Sequence, residues 1–443
     1  MRSTERPINA MNQQIQLNRT MNTDKTTSRA KWLAARTVTV LLAGAAFTTH
    51  AQTWVNVYHP ALGGIAGVCG DMGSDASGNV YAVGREIAPD GSSVAIVQGS
   101  SDHGATWSVL DQYSETGRSY AHHRAFAADH VNGNLFAGGN LNNILLNGTA
   151  EFDTLWLIRE WNPQMRAWST AEDYTALVND VGQASCADIM VSPSGDVYAT
   201  GGGKLGTGLG WLVRKRPAGA SSFTTVDADY SGQSSGSGWD LAFHSSCGVF
   251  AVGDVNGIWT VRRSPNGEKG TWSTVDSFYT AREWTSGSAK CILATASTIH
   301  VVGSAYNAST RKTYWVVRSS SDGGLTWSIT DMAVTGISVE ARGIVEDTAG
   351  NLMVCGQVTG AAGGLDWIVR KGTPGTKLVK QGKQWVTVPT INWTASDEFQ
   401  LVSGKSAQPN AITADIDGNI YVSGSAQDAS GTNYWIVRKL AVQ

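Results

Sequence analysis

The chain has 443 residues, a formal net charge of −3 and 42% hydrophobic residues, among them 17 Trp. This apolar content can fill a core, and the slight acidic excess argues against nucleic acid as the main partner, because phosphate binding requires a basic face. The five Cys fall inside strand patterns without paired spacing, so neither a disulfide framework nor a zinc site is predicted. We expect no metal and no cofactor.

Residues 1–51 have the features of a removable secretory leader. Arg29, Lys31 and Arg36 precede the apolar run TVTVLLAGAAF, and the segment THA comes directly before Gln52. Basic, apolar and cleavage regions in this order are typical of a signal peptide, and the apolar run is too short for a stable membrane anchor. We therefore expect residues 52–443 to form the mature domain, secreted or periplasmic, with no membrane span.

A repeat of about fifty residues follows the leader. Each unit has a hairpin such as SGNVYAVG (77–84) or DGNIYVSG (417–424), in which a turn leads into an alternating apolar strand. A strand such as GWLVR or YWIVR follows, and then a third element that usually carries TW. With the strand before the hairpin, each unit has the four antiparallel strands of a propeller blade. Seven units align, so we predict an all-β, seven-bladed β-propeller.

The first segment of the mature chain predicts how this ring closes. TWVNVY (53–58) matches TWSVLD (106–111), TWSTVD (271–276) and TWSITD (326–331), which each close a unit. The last unit ends after YWIVRKL without such a segment. We expect the N-terminal strand to complete the last blade.

Two segments share the pattern S-x-D-x-G-x-T-W between the third and fourth strands, and a stretched relative covers residues 264–272. The pattern residues are Ser100, Asp102, Gly104 and Trp107 in the first segment, and Ser320, Asp322, Gly324 and Trp327 in the second. The pattern resembles the Asp-box, or bacterial neuraminidase repeat, of sialidase-like propellers. The resemblance implies structural roles: the Asp caps turn amides, the Gly takes a conformation that other residues resist, and the Trp packs between blades.

The resemblance does not extend to sialidase catalytic residues. Sialidases bind the substrate carboxylate through three separated Arg, the first of which lies in an R-I-P phrase early in blade one. The corresponding region here, 59–71, contains no Arg. A distantly similar phrase begins at Arg85, but it lies after the hairpin. No sialidase residue is therefore carried over.

A Trp followed three positions later by an Arg recurs in six units, and a residue present in nearly every blade is expected to serve the blade. The pairs are Trp156 and Arg159, Trp211 and Arg214, Trp259 and Arg262, Trp315 and Arg318, Trp367 and Arg370, and Trp435 and Arg438. Odd spacing places Trp and Arg on opposite faces of a strand. We expect a packing Trp and an Arg that hydrogen-bonds or stacks between blades. The alternative is a multivalent lectin with one sugar-stacking Trp per blade.

A single active site must instead break the repeat. Aligning the hairpin glycines places Asp71, Asp188, Asp240 and Lys290 at one level near the mouth of the central channel. Trp239, Arg342 and Asn410 come one residue earlier, and His122, His123 and Arg124 lie at the same height to within one residue. A carboxylate or His at this place can do acid–base chemistry. The candidate catalytic residues are Asp71, His123, Arg124, Asp188 and Asp240; the candidate ligand-binding residues are His122, Trp239, Lys290, Arg342 and Asn410. The alternative is that these polar side chains only line a hydrated channel.

Two further features depart from the repeat. Asp415-Ile416-Asp417-Gly418-Asn419 resembles the start of a calcium loop, but a plain turn is favoured because the downstream Glu is missing. Insertions at 140–154 and 377–403, the second with Trp385 and Trp393, are places where function is often added.

The sequence leaves three functions open. The first is a monomeric binding propeller that engages a glycan or a cell-surface or extracellular partner through its loop face or central funnel. The second is a carbohydrate-active enzyme, a glycosidase or polysaccharide lyase, with its site in the funnel. The third is the multivalent lectin. Fold alone does not choose among them.

Overall fold

The computed structural model describes residues 53–58, 65–142, 154–175, 177–178, 181–205, 208–229, 235–333 and 338–442. The chain divides into residues 1–50 and 51–443, and every described residue belongs to the second unit. The predicted leader at 1–51 and most of the predicted insertion at 140–154 lie outside the described residues. Within those ranges we find no helix long and apolar enough to cross a membrane.

The described residues form thirty strands, numbered in chain order. The first nine are β1 (Trp54–Tyr58), β2 (Gly67–Ser74), β3 (Val80–Ile87), β4 (Ser93–Ser100), β5 (Ser108–Tyr113), β6 (Tyr120–Ala128), β7 (Leu135–Asn142), β8 (Thr154–Asn162) and β9 (Ala167–Tyr174). Then come β10 (Leu177–Val178), β11 (Val181–Gly182), β12 (Ala184–Val191), β13 (Val197–Leu205), β14 (Gly208–Arg216), β15 (Thr224–Asp229), β16 (Gly236–His244), β17 (Gly248–Val255), β18 (Ile258–Ser264) and β19 (Ser273–Ser277). The last are β20 (Trp284–Ala294), β21 (Ile299–Asn307), β22 (Lys312–Ser320), β23 (Ser328–Ala333), β24 (Glu340–Glu346), β25 (Leu352–Thr359), β26 (Leu365–Gln381), β27 (Gln384–Phe399), β28 (Ala407–Ala414), β29 (Ile420–Gln427) and β30 (Asn433–Leu440).

Most of these strands form four-stranded antiparallel sheets, as the repeat predicts. They are β12–β15, β16–β19, β20–β23, β24–β27, and β28–β30 with β1. Strands β2–β9 form one eight-stranded sheet, in which two antiparallel runs of four are joined by a single parallel pair, Ser93 with Tyr120. The described residues thus contain six sheets of four or more strands rather than the seven separate blades that the sequence predicts.

The N-terminal strand pairs with the C-terminal one, as predicted. β1 runs antiparallel to β30, with Trp54 opposite Leu440 and Asn56 opposite Arg438. The four-stranded sheet β1-β30-β29-β28 therefore contains both ends of the described chain.

The first strands of successive units meet in a closed circuit. β2 contacts β6, β6 contacts β12, and the contacts continue through β16, β20, β24 and β28 back to β2. The core lies between neighbouring sheets: Phe250 and Trp259 of one sheet, for example, pack in one cluster with Ile292 and Val301 of the next. Four-stranded sheets arranged around a common centre are the architecture of a β-propeller.

The repeated Trp and Arg have the packing and hydrogen-bonding roles that their repetition predicts. The six Trp are at most 2% exposed. The multivalent lectin alternative requires exposed rings, and none of these six rings is exposed. Each Arg forms an ion pair with an acid on the last strand of the preceding unit: Arg159 with Asp111, Arg214 with Glu172, Arg262 with Asp227, Arg318 with Asp276, Arg370 with Asp331, and Arg438 with Asp397. Nε and a terminal nitrogen of each Arg reach the carboxylate together, which fixes the distance between neighbouring sheets.

The two S-x-D-x-G-x-T-W loops have the same hydrogen bonds. In the first, the Thr106 amide and hydroxyl both donate to Asp102, at 2.8 and 2.6 Å, and the Gly104 amide donates to Ser100 Oγ. Gly104 has φ of 86°, a conformation that favours glycine. Asp322, Thr326 and Gly324 repeat these contacts in the second loop. The hydrogen bonds to Thr106 lower the pKa of Asp102 to about 2, so the carboxylate stays charged and the cap intact at neutral pH.

Candidate functional site

A cavity of about 430 Å³ lies where the first strands of the units meet. Its size is within the range of small-molecule sites. Its walls contain residues from each of β2, β6, β12, β16, β20, β24 and β28. The predicted residues that line it are Asp71, His122, Arg124, Asp188, Trp239, Asp240, Lys290, Arg342 and Asn410.

A β-bulge in every first strand explains why these side chains converge. The register of each strand slips by one residue against its hairpin partner, and the extra residues are Gly70, Arg124, Ala187, Trp239, Lys290, Arg342 and Asn410. A bulge re-aims the side chain of its extra residue. All of these residues line the cavity. The repeat therefore builds one position per unit that is free to differ, and the residue type at that position gives the cavity its chemistry.

Three carboxylates follow directly after bulges and join neighbouring strands. Asp71 accepts the Met72 amide of its own strand and the Phe126 amide of β6, both at 2.7 Å. Asp240 likewise accepts the Leu241 amide at 2.8 Å and the Ile292 amide of β20 at 2.7 Å. Each carboxylate thus connects its own bulge to the first strand of the next unit.

Asp188 lies beside Asp240 and shares a hydrogen-bond donor with it. The Leu241 amide donates to Asp188 Oδ2 at 3.0 Å as well as to Asp240. Burial and the neighbouring Asp240 carboxylate raise the pKa of Asp188 well above its usual range, and burial also raises the pKa of Asp240. Burial raises the pKa of Asp71 to about 7, although the two amides that it accepts favour the charged form. Burial thus raises the pKa of all three carboxyl groups on this side of the cavity.

Cations occupy other positions of the cavity wall. Lys290 Nζ lies 3.6 Å from the centre of the Trp239 ring and 3.5 Å from Glu340 Oε1. Burial lowers the pKa of Lys290. Arg342 pairs with Glu340 at 2.8 Å and donates to Asn410 Oδ1 at 2.7 Å. Lys290 and Arg342 therefore share one compensating acid, Glu340.

Arg124 and His122 have unused polar groups at the cavity. Arg124 is exposed to the cavity and has no ion-pair or hydrogen-bond partner among the described residues. The His122 side chain is 6% exposed; its Nδ1 lies 3.2 Å from the Tyr120 hydroxyl, and its Nε2 has no partner in the described part of the chain. Burial and the nearby Arg124 charge lower the pKa of His122 well below its usual value, so the ring is neutral. A neutral imidazole can donate to or accept from a ligand.

His123 lies outside the cavity wall, unlike its predicted place in the funnel. The bulge at Arg124 leaves His123 paired with Gly139 inside the sheet, where its side chain is fully buried and both ring nitrogens lack partners among the residues that the structure describes. Burial and the Arg159 charge lower the pKa of His123 to about 3. The imidazole is therefore neutral and has no access to the cavity.

The structure also corrects one alignment and adds residues that the sequence did not single out. Lys290 occupies the bulge position, level with Trp239 and Arg342, whereas the position of the aspartates is taken in β20 by Cys291. Glu340, which the repeat did not single out, also lines the cavity, two residues before the bulge residue Arg342. The bulges were not visible in the sequence, which is why the level of Lys290 was off by one.

Asp415, which begins the phrase that resembles a calcium loop, caps a turn. Its carboxylate accepts the Asn419 amide and the Tyr421 hydroxyl, each at 2.9 Å. His103 Nδ1 of the first S-x-D-x-G-x-T-W loop lies 3.2 Å from the same carboxylate. The contacts to Asn419 and Tyr421 are those of the plain turn that the sequence favours, and His103 joins this turn to a loop of the first unit.

Comparison with known proteins gives a short family match and distant structural likenesses. The SBBP family, described as Beta-propeller repeat, matches residues 400–429, which include β28 and β29. No curated protein matches the chain. Among solved structures, the chain is similar to a protein of unknown function from Dyadobacter fermentans, with 8% identity, a TM-score of 0.42 and coverage of 88% of this chain and 98% of that one.

Two solved glycosidases have a similar degree of likeness. Trypanosoma rangeli sialidase shares 12% identity at a TM-score of 0.42, over 85% of this chain and 55% of that chain. The α-L-arabinofuranosidase Arb93A from Fusarium graminearum shares 10% identity at a TM-score of 0.42, over 88% of this chain and 97% of that chain. The repeat match and the closed circuit of four-stranded units agree on the fold: the chain is a β-propeller with a polar cavity at its centre.

Proposed function

We propose that this chain is a secreted or periplasmic seven-bladed β-propeller of Asp-box type that binds an acidic glycan in its central cavity. Two observations support seven blades: the eight-stranded sheet consists of two antiparallel runs of four joined by one residue pair, and the circuit of first strands passes through both runs. The capped loops at Asp102 and Asp322 support the Asp-box type.

The single observation that carries the ligand class is the pair of unused groups at Arg124 and His122. An unpaired guanidinium can hold a carboxylate or sulfate in a two-pronged contact. The His122 side chain also lines the cavity, and its buried Nε2 has no partner in the described part of the chain, which is costly until a hydroxyl pairs with it. A sugar that carries an acidic group offers both the anion and the hydroxyls.

The carboxylates favour binding over catalysis. Asp71 and Asp240 each use both oxygens to accept backbone amides of two neighbouring strands. This role is structural, and it recurs in several units, whereas a catalytic group has to break the repeat. The enzyme alternative rests on Asp188, whose raised pKa beside Asp240 suits a general acid.

The test is calorimetric titration of acidic and neutral oligosaccharides of matched length into the protein. We expect the acidic series to bind, and Arg124→Gln to weaken binding by about tenfold or more, since a hydrogen-bonded charge pair is lost. Arg282→Gln, an exposed arginine outside the cavity, is the matched control and should bind like the wild type. Equal binding by the two variants would reject the cavity as the binding site.

The same titrations distinguish binding from turnover when products are followed by mass spectrometry. The binding proposal expects ligand to be recovered intact. Release of shortened oligosaccharides that stops in Asp188→Asn would instead establish the enzyme alternative, with Asp188 as the acid.

A further inference from the structure

The hairpin of β26 and β27 extends far beyond the sheet to which it belongs. β25 pairs with β26 only as far as Gly372, whereas β26 and β27 stay paired from Thr373 opposite Asn392 to Gln381 opposite Gln384. Residues 373–392 therefore form a two-stranded arm, which at about 3.3 Å per residue projects about 30 Å. At its base, Trp393 Nε1 donates to the Thr330 carbonyl at 3.0 Å and fixes the arm to the neighbouring sheet.

The arm is basic in an otherwise slightly acidic protein. It contains Lys377, Lys380 and Lys383 and no Asp, Glu or Arg, whereas the whole chain has a net charge of −3. All three lysines are exposed, and none has an ion-pair partner among the described residues. Their charge is available to an external anion.

The same arm exposes two large apolar side chains near its tip. Lys380 lies opposite Trp385 and Leu378 lies opposite Thr387, so Leu378, Lys380 and Trp385 share one face of the ribbon. Trp385 is 66% exposed and Leu378 is 64% exposed. An exposed Trp and Leu beside a lysine on a protruding ribbon form an amphipathic tip.

We infer that this arm docks the protein on an anionic lipid surface. Trp and Tyr favour the headgroup region of bilayers, and basic side chains are attracted to anionic lipids. Leu378 favours lipid over a polysaccharide, because an aliphatic side chain gains from acyl chains but offers no ring to stack on a sugar. A second copy of the chain is disfavoured as the occupant, since its arm would carry the same three positive charges.

The experiment is flotation of the chain, as isolated, with vesicles of phosphatidylcholine alone or with a third of phosphatidylglycerol. We expect binding to the anionic vesicles that falls with added salt. Replacing Lys377, Lys380 and Lys383 together by Gln should weaken binding by more than about tenfold, since each basic residue near such a surface contributes about fivefold. Trp385→Ser with Leu378→Ser should weaken it on its own.

The controls separate the arm from general surface properties. Met165→Ser removes an apolar side chain of 75% exposure elsewhere, and Lys269→Gln with Lys312→Gln removes exposed charge away from the arm; both should bind vesicles like the wild type. Equal flotation of arm and control variants would overturn the inference. Binding to a soluble anionic polysaccharide but not to vesicles would assign the arm to a glycan and also overturn it. Neither result depends on the cavity, because Arg124→Gln is expected to float like the wild type.

Discussion

Gln98 donates a hydrogen bond from Nε2 to the Tyr58 hydroxyl at 2.9 Å, where the two ends of the propeller meet. At each of the other junctions, the corresponding positions hold an arginine and an acid. Tyr58 lies opposite Val437 just as Asp276 lies opposite Val261, which makes the positions equivalent. The junction between β1 and the first unit is thus connected by a neutral pair in place of an ion pair.

Tyr58→Phe should destabilise the protein by about 1–3 kcal/mol, because it leaves the buried Gln98 amide without its acceptor. Equilibrium unfolding in urea would measure the difference. Gln98→Arg alone should also destabilise, whereas Gln98→Arg with Tyr58→Asp should recover part of the loss by rebuilding the ion pair of the other junctions. A double variant no more stable than its two singles predict together would contradict the equivalence.

Asp276→Ala should lower the free energy of unfolding by about 3 kcal/mol, since it leaves the Arg318 guanidinium nearly buried without a counter-charge. Glu115→Ala is the matched control, because its pair with Arg118 is at 3.4 Å and the Glu side chain is 40% exposed. We expect the control to cost less than about 1 kcal/mol. Similar losses in both variants would show that the ion pairs between units do not stabilise the ring.

Asp71 should make the protein less stable as the pH rises. Its pKa is about 7 in the folded state and 3.8 as the ordinary value, so the folded state holds a proton that the unfolded state has released. The stabilisation that this proton gives the folded state is fully present below about pH 4. It is lost as the pH rises through about 7, and the free energy of unfolding falls by about 4 kcal/mol in all. Denaturant unfolding of the wild type and of Asp71→Asn across this pH range is the measurement. The free energy of unfolding of Asp71→Asn should rise relative to that of the wild type as the pH rises. Parallel curves would mean that Asp71 is charged when folded.

His123→Leu should stabilise the protein in mild acid. The folded pKa of His123 is about 3 and the ordinary value is 6.5, so only the unfolded state takes up a proton as the pH falls below 6.5. At about pH 5 this costs the wild type about 2 kcal/mol, and Leu removes the cost while filling the same apolar site. Thermal unfolding at about pH 5 and about pH 8 tests this, and acidic-glycan binding should be unchanged. A loss of binding in His123→Leu would place His123 in the ligand site after all.

The repeat made much of the fold predictable from sequence, while the site was predictable only in part. The hairpin glycines and the TW segments indicated the strand order and the closure by residues 53–58, because turn chemistry and alternation are local. The symmetry argument brought Arg124, Asp188 and Asp240 to one cavity, since equivalent positions of equivalent strands must meet at one level.

What the sequence did not reveal depends on one-residue shifts and on contacts between distant strands. A β-bulge has no residue signature here, since its extra residue is Gly in β2, Trp in β16 and Lys in β20. The alignment of the hairpin glycines therefore misplaced His123 by one position. The hydrogen bond between Gln98 and Tyr58 joins residues forty positions apart in the chain. It depends on a separate bulge in β1, which lies outside the seven first strands.

The shared sheet of β1 and β30 makes the order of synthesis matter. β1 leaves the ribosome before every other strand described here, and its partner is completed last. Until β28 to β30 emerge, β1 has no strand to pair with, and β2 lacks the strands of the last unit that pack against it. The nascent chain is consequently most exposed to wrong pairing at its beginning, and a cut near either end of the domain opens the same sheet.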